Sequence, residues 1–253
     1  MMIFLITVLA IYLLVVVYFY VCQRSMVFYP QPGAFVYEKH AFEFQIDNIS
    51  LRGWVLNEGQ DAVLFYFGGN NENIQMNIDR FKEWFPKHTV YLINYRGYGK
   101  SDGSPSETAL FQDALTVYDR LGNDFSRISI IGRSLGSGVA CHVAANRKVD
   151  RLALITPYDS ISQVGQQKHW YIPVKWLIKD KFESWKKVNR ISSECLVVTA
   201  IGDDVVPNNR TANLLNYFSN VKPRLVEIDD TSHGLVMNHP RFGAALRDFF
   251  EIS

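Results

Sequence analysis

Six short apolar runs rich in branched side chains recur along the chain: AVLFYF at 62–67, TVYLINY at 89–95, RISIIG at 127–132, RLALIT at 151–156, CLVVTA at 195–200 and RLVEI at 224–228. Such runs lack the polar alternation of a half-exposed strand and suit strands buried on both faces. Helical patterns separate them, at 72–85, 106–121, 134–147, 208–218 and 240–251. In SETALFQDALTVYDRL the residues Leu110, Ala114, Val117 and Leu121 fall three and four apart, on one helix face. Strand and helix in alternation predict a mostly parallel sheet with helices on both sides. FEFQI and ISLRGWVL, with Asp47-Asn48 between them, add an antiparallel pair at the front and bring the expected sheet to eight strands. With 253 residues the chain suits one large α/β domain rather than two.

The N-terminus follows another rule. From Met1 to Cys22 there is no charged side chain. At about 1.5 Å per residue the run reaches across a bilayer core of roughly 30 Å. No basic stretch precedes it and no small-x-small cleavage site precedes Gln23, which argues against a cleaved signal peptide. No polar face exists, which argues against a core helix. Residues 1–23 are therefore expected to form an uncleaved single-pass membrane anchor, and RSMVFYPQPG opens a linker over 24–36. Arg24 on the C-terminal flank, with no Lys or Arg on the other, is a single residue in favour of a cytoplasmic domain and leaves the side open. Cys22, at the membrane face, is either an apolar helix-end residue or an acylation site.

The remaining 37–253 is the expected folded domain. Between 156 and 193 the rhythm breaks: there is no strand-like run, but three tryptophans, Trp170, Trp176 and Trp185. A short helical cap over about 157–192 is expected there, near the C-terminal edge of the sheet. A net charge of +1, with basic residues scattered, gives no nucleic-acid footprint. Three cysteines without C-x-x-C spacing give neither a disulfide framework nor a zinc site, and Cys141 and Cys195 in apolar runs read as buried thiols.

The chemistry concentrates in ISIIGRSLGSGVA, 128–140, where Ser134 stands in G-x-S-x-G between a strand-like run and a helix-like segment. That context holds a serine hydroxyl on a tight strand-to-helix turn. A serine nucleophile needs a base, and the base an orienting acid. In an α/β sheet of this kind they follow in the order Ser, Asp or Glu, His. After CLVVTA comes IGDDVVP, with Asp203 and Asp204; after RLVEI comes DDTSHG, with His233. Of the six histidines His239 is the rival, but it abuts Pro240 and reads as a helix start. FYFGGNNEN puts Gly68, Gly69 and Asn70 directly after a strand, so the backbone N–H groups of Asn70 and Leu135 are the candidate oxyanion donors.

Taken together, FYFGGNNEN, NYRGYGKSDGSPSE, IIGRSLGSGVA, GDDVVP and SHG resemble the α/β-hydrolase superfamily. They are similar to its membrane-anchored serine hydrolase branch, which is serine-peptidase-like and includes depalmitoylases and lysophospholipid lipases. The resemblance covers nearly the whole chain and implies the α/β-hydrolase fold. It selects Asp203, four residues before Pro207 as in the family's D-x-V-[VI]-P, and it marks 94–107 as structural. Gly68-Gly69 replaces a usual His-Gly before the oxyanion asparagine, and Ala200-Ile201 replaces another before the acid loop. The expected function is a membrane-anchored serine hydrolase that cleaves carboxylic esters or thioesters, lipid substrates among them. It would work through an acyl-enzyme on Ser134, with Asp203 and His233, and without metal or cofactor. The alternatives are a serine peptidase of the same fold and a non-catalytic membrane-tethered scaffold. Oligomeric state is left open.

Overall fold

The computed structural model describes residues 1–33 and 37–251. Eight strands form one sheet: β1 (Ala41–Ile46), β2 (Ile49–Leu56), β3 (Ala62–Phe67), β4 (His88–Ile93), β5 (Arg127–Arg133), β6 (Arg151–Ile155), β7 (Glu194–Ala200) and β8 (Arg224–Ile228). Their order is β1-β2-β4-β3-β5-β6-β7-β8. β2 runs against both its neighbours, while β4, β3, β5, β6, β7 and β8 are parallel. This is the expected eight-stranded, mostly parallel sheet. The β1–β2 turn falls at Asp47-Asn48, with Asp47 at φ 48°.

The two faces divide residue by residue. Val63, Phe65, Phe67, Ile130, Leu152, Leu154 and Val197 point into one core, with α3 (Glu107–Leu121) and α4 (Leu135–Asn146). Leu64, Tyr66, Ile131, Ala153, Ile155, Leu196 and Val198 point into the other, with α2 (Ile78–Trp84) and α8 (Pro240–Phe250). Period-two alternation in an all-apolar strand thus feeds two cores at once. Helix α7 (Asn208–Leu215) places Leu214 in the first core.

Two expectations shift. The helix expected over 72–85 begins later: residues 74–77 form a 3-10 turn and α2 starts at Ile78. The Glu72 carboxylate is instead committed to Gly69 N–H, Tyr66 and Asn77. β8 is not buried on both faces either, because it closes the sheet as an edge, with Arg224, Leu225 and Glu227 exposed.

Helix α1 (Met2–Val27) is long and apolar enough to cross a membrane. It runs four residues into the stretch expected as linker. Phe28 behind it is buried against Phe182, and Gly99 N–H donates to Gln31 O. That segment is therefore held against the domain. The last three residues of the expected linker, 34–36, and residues 252–253 of the expected domain lie outside the described residues. Between β6 and β7 the chain forms α5 (Ile161–Lys168), α6 (Val174–Leu177) and two 3-10 turns, with no strand. This helical segment is called the cap below.

Candidate active site

Ser134 sits at the junction of β5 and α4, with φ 49° and ψ −116°. A non-glycine residue in that region is strained, and the surroundings over-determine it. Ser134 N–H donates to Ile155 O of the neighbouring strand, and Ser134 O accepts from both the N–H and the hydroxyl of Ser137. The flanking glycines are required by close approach. A Cβ at Gly136 would lie 2.0 Å from Phe67 O, and one at Gly132 would lie 2.5 Å from Gly136 O. The turn is thus wedged against the end of β3, with the serine side chain projecting beyond the C-terminal edge of the sheet.

The structure brings three of the sequence-derived residues into one line. His233 Nε2 lies 2.9 Å from Ser134 Oγ, and His233 Nδ1 lies 2.8 Å from Asp203 Oδ2. Asp203 Oδ1 accepts from the N–H groups of Val205 and Val206 at 2.9 and 2.7 Å. One oxygen is therefore fixed by its own loop, and the other is aimed at the imidazole. The side chains of Asp203 and His233 are buried. Asp204 is exposed and makes no such contact with His233. His239 caps α8, accepting from Arg241 N–H. Such an arrangement delivers a hydroxyl proton to a base whose tautomer and orientation are set by a carboxylate.

Asn70, Ser134 and Leu135 share the wall of one cavity. The loop that carries Asn70 is supported by residues the sequence reading did not single out. Glu72 Oε2 accepts Gly69 N–H at 2.7 Å and pairs with Arg133 Nη1 at 3.1 Å. Burial by itself would raise the Glu72 carboxyl. Arg133, Gly69 N–H, Tyr66 and Asn77 outweigh it and hold the carboxyl below the usual range. Arg133 in turn donates to His233 O and Gly234 O, so one guanidinium ties the Asn70 loop to the histidine loop. From the stretch marked as structural, Tyr95 donates to Gly68 O and Tyr98 to Asn70 O, both at 2.9 Å. The signal for these partners was present in the quoted motifs as Glu72, Arg133, Tyr95 and Tyr98. Sequence spacing does not show that they converge.

Two cavities meet at Ser134, sharing Asn70 and Val205 as well. One, of about 620 Å³, is mixed, with the polar side chains of Asn71, Asn73, Asn77, Arg80, Arg133 and Ser232 on its wall. The other, of about 230 Å³, is mostly apolar and lies between the cap and α1. Cys141 is buried and its thiol is pushed up to about 12 by that burial; Cys195 is buried as well. Neither lines either cavity. Among the described residues no group of three or more His, Cys, Asp or Glu side chains is placed to hold a metal ion.

The family described as the α/β hydrolase fold matches residues 63–171. An uncharacterized protein of Mycobacterium tuberculosis is 33% identical over 131 residues, which are 50% of this chain and 47% of that protein. The chain thus spans about half the length of that relative. A lysophosphatidylserine lipase, ABHD12 of Danio rerio, is 34% identical over 141 residues, 47% of this chain and 36% of its own. A Saccharomyces cerevisiae protein described as an uncharacterized membrane protein is 28% identical over 246 residues, 89% of this chain and 84% of its own. Among solved structures, the Pyrococcus furiosus esterase Pf2001 superposes with a TM-score of 0.69 at 16% identity, over 88% of this chain and 97% of that one. That identity speaks for fold alone. With its eight-stranded sheet, its strand–serine–helix turn and these matches, the chain has the α/β-hydrolase fold.

Proposed function

We propose that the protein is a serine hydrolase that cleaves carboxylic esters or thioesters of acyl groups, held at a membrane by α1. The observation that carries this reading is the chain of hydrogen bonds from Asp203 through His233 to Ser134, at 2.8 and 2.9 Å, opening on two cavities, one with many polar side chains on its wall and one mostly apolar. In this mechanism His233 takes the proton of Ser134 as its oxygen attacks the acyl carbonyl. Asp203 fixes the imidazole tautomer. The N–H groups of Asn70 and Leu135 hold the oxyanion. Collapse expels the alcohol or thiol with the proton from His233. Water, activated by the same histidine, then cleaves the acyl-enzyme. The zebrafish relative's printed name, a lysophosphatidylserine lipase, supports a lipid ester as substrate. The length and composition of α1, and the yeast relative's printed description, support a single-pass anchor.

A fluorophosphonate probe is expected to label the unmodified protein, while Ser134→Ala is not labelled and melts at nearly the same temperature. Equal labelling of the two would remove Ser134 as the nucleophile.

A further inference from the structure

Helix α1 does more than end at the domain. Val16, Phe19, Gln23 and Val27, at spacings of three and four, are the side of the helix turned to the protein, while Met2 to Ile11 are bare. Gln23, the buried side chain of α1, accepts Lys179 N–H at 2.6 Å and donates to Leu177 O at 3.2 Å. Arg24 pairs with the buried Asp180 at 3.2 Å. Phe19 packs edge-on to His169, and farther up the helix Tyr12 donates to Tyr171 O at 3.1 Å. The cap therefore lies alongside α1 from Val27 back to Tyr12, a rise of roughly 22 Å.

This places the cap at a definite depth. A bilayer core takes about 20 helical residues. The bare part of α1, Met2 to Ile11, is shorter than that. Spanning therefore draws the next turns into the membrane, and with them the 169–177 loop that those turns carry. That loop presents the side chains such a position calls for: Trp170 is 80% exposed, Trp176 86% and Tyr171 48%, with Lys168, Lys175 and Lys179 exposed around them. Behind the loop lies the apolar cavity. Phe19, Met26 and Val27 of α1 form one wall, Ile161, Val164 and Ile172 of the cap another, and Ser134 stands at its inner end.

We propose that this cavity is an acyl-chain site fed directly from the bilayer. The cap loop is embedded through Trp170 and Trp176. The acyl chain of a membrane lipid ester enters between α1 and the cap, its carbonyl reaches Ser134, and its polar part occupies the neighbouring mixed cavity. The helix is thus a wall of the binding site as well as a tether. The inference rests on the serine hydrolase reading for the chemistry, and on geometry alone for the membrane contact.

The test uses the full chain in phosphatidylcholine vesicles with p-nitrophenyl butyrate and p-nitrophenyl palmitate. Met26→Trp and Val164→Trp, from opposite walls, are expected to lower kcat/KM for palmitate at least about tenfold more than kcat/KM for butyrate. Butyrate turnover is the check on folding, and Val164→Phe carries the same comparison if tryptophan is not accommodated. Equal effects on the two esters, or none, overturn the acyl site. In a second arm, brominated phosphatidylcholine is expected to quench the tryptophan emission of the unmodified chain, and the Trp170→Ser/Trp176→Ser variant to lose most of that quenching. Undiminished quenching in the double variant overturns the embedded loop. Butyrate cleavage with an unresponsive palmitate rate leaves the hydrolase standing and the acyl site refuted. Failure to cleave either ester, with quenching as expected, removes the hydrolase and the acyl site with it and keeps the membrane contact.

Discussion

The serine, histidine and aspartate are only as well placed as the groups that hold them, and Glu72 holds the most. Its two oxygens take Gly69 N–H, Tyr66 Oη, Asn77 Nδ2 and Arg133. Arg133 passes the constraint on to the carbonyls of His233 and Gly234. The pair is largely buried, at 13% and 8% side-chain exposure, so removing one charge leaves the other unpaired and largely desolvated. Glu72→Gln keeps the shape and deletes the charge. It is expected to cost roughly 3–5 kcal/mol of stability. It is also expected to lower kcat by about ten- to a hundredfold through a displaced Asn70 N–H, with KM changed far less. Melting curves and ester kinetics on the same preparation check both. A fall in KM effects alone would mean that Glu72 shapes the pocket rather than the oxyanion loop. Ser134 and His233 were read in the sequence from their places after strands, and Asp203 was preferred to Asp204 only through the family resemblance. Glu72 was not legible. It reads there as the first residue of a helix, and only the folded loop shows that its carboxylate is spoken for.

At the scale of elements, the strands were the most legible part of the chain. AVLFYF and RLVEI coincide with β3 and β8 to the residue, since branched apolar runs between turns have few alternatives. Exposure of β8 was not legible, because an edge strand and a central one can share a sequence when order in the sheet is unknown. The start of β4 shows how packing between elements sets a titration. His88 is 3% exposed, edge-on to Phe85 behind α2 and Phe250 of α8. Burial, and then the charges of Arg151 and Arg127, push it down to about 4. Above about pH 6.5 the imidazole is neutral in both folded and unfolded chains. As pH falls below that, the unfolded chain takes a proton that the folded one refuses until about pH 4. Stability is therefore expected to fall across this window, by up to about 3 kcal/mol from this residue. His88→Phe should flatten part of the slope between about pH 7 and about pH 5 in urea unfolding. Parallel slopes for the two proteins would show that His88 is protonated in the folded state.

For the molecule as a whole, the sequence separates an anchor, a linker and a domain, and the structure joins them. RSMVFYPQPG carries proline and glycine and looks like a loose connection. Yet its first residues extend α1, and Phe28 is buried. Composition cannot register this, because what decides it is the single glutamine at position 23. Gln23 spans a helix and a cap that otherwise meet through apolar side chains, the Arg24–Asp180 pair and a few polar contacts. Arg24 is more than half exposed, so its attraction for Asp180 is screened and contributes about 1 kcal/mol or less. Gln23→Ala leaves Lys179 N–H without its acceptor in a partly buried place, at a cost of about 1–3 kcal/mol. That cost falls on the contact between cap and helix rather than on the sheet. The cap should therefore open locally while the rest stays folded. Trypsin is expected to cut near Lys175, Lys179 or Lys181 about tenfold faster in the variant, with the main thermal transition moved by less than about 2 °C. Cleavage at an unchanged rate would mean that the cap holds its place without α1, and cleavage that starts in the sheet would mean that helix, cap and core unfold as one unit.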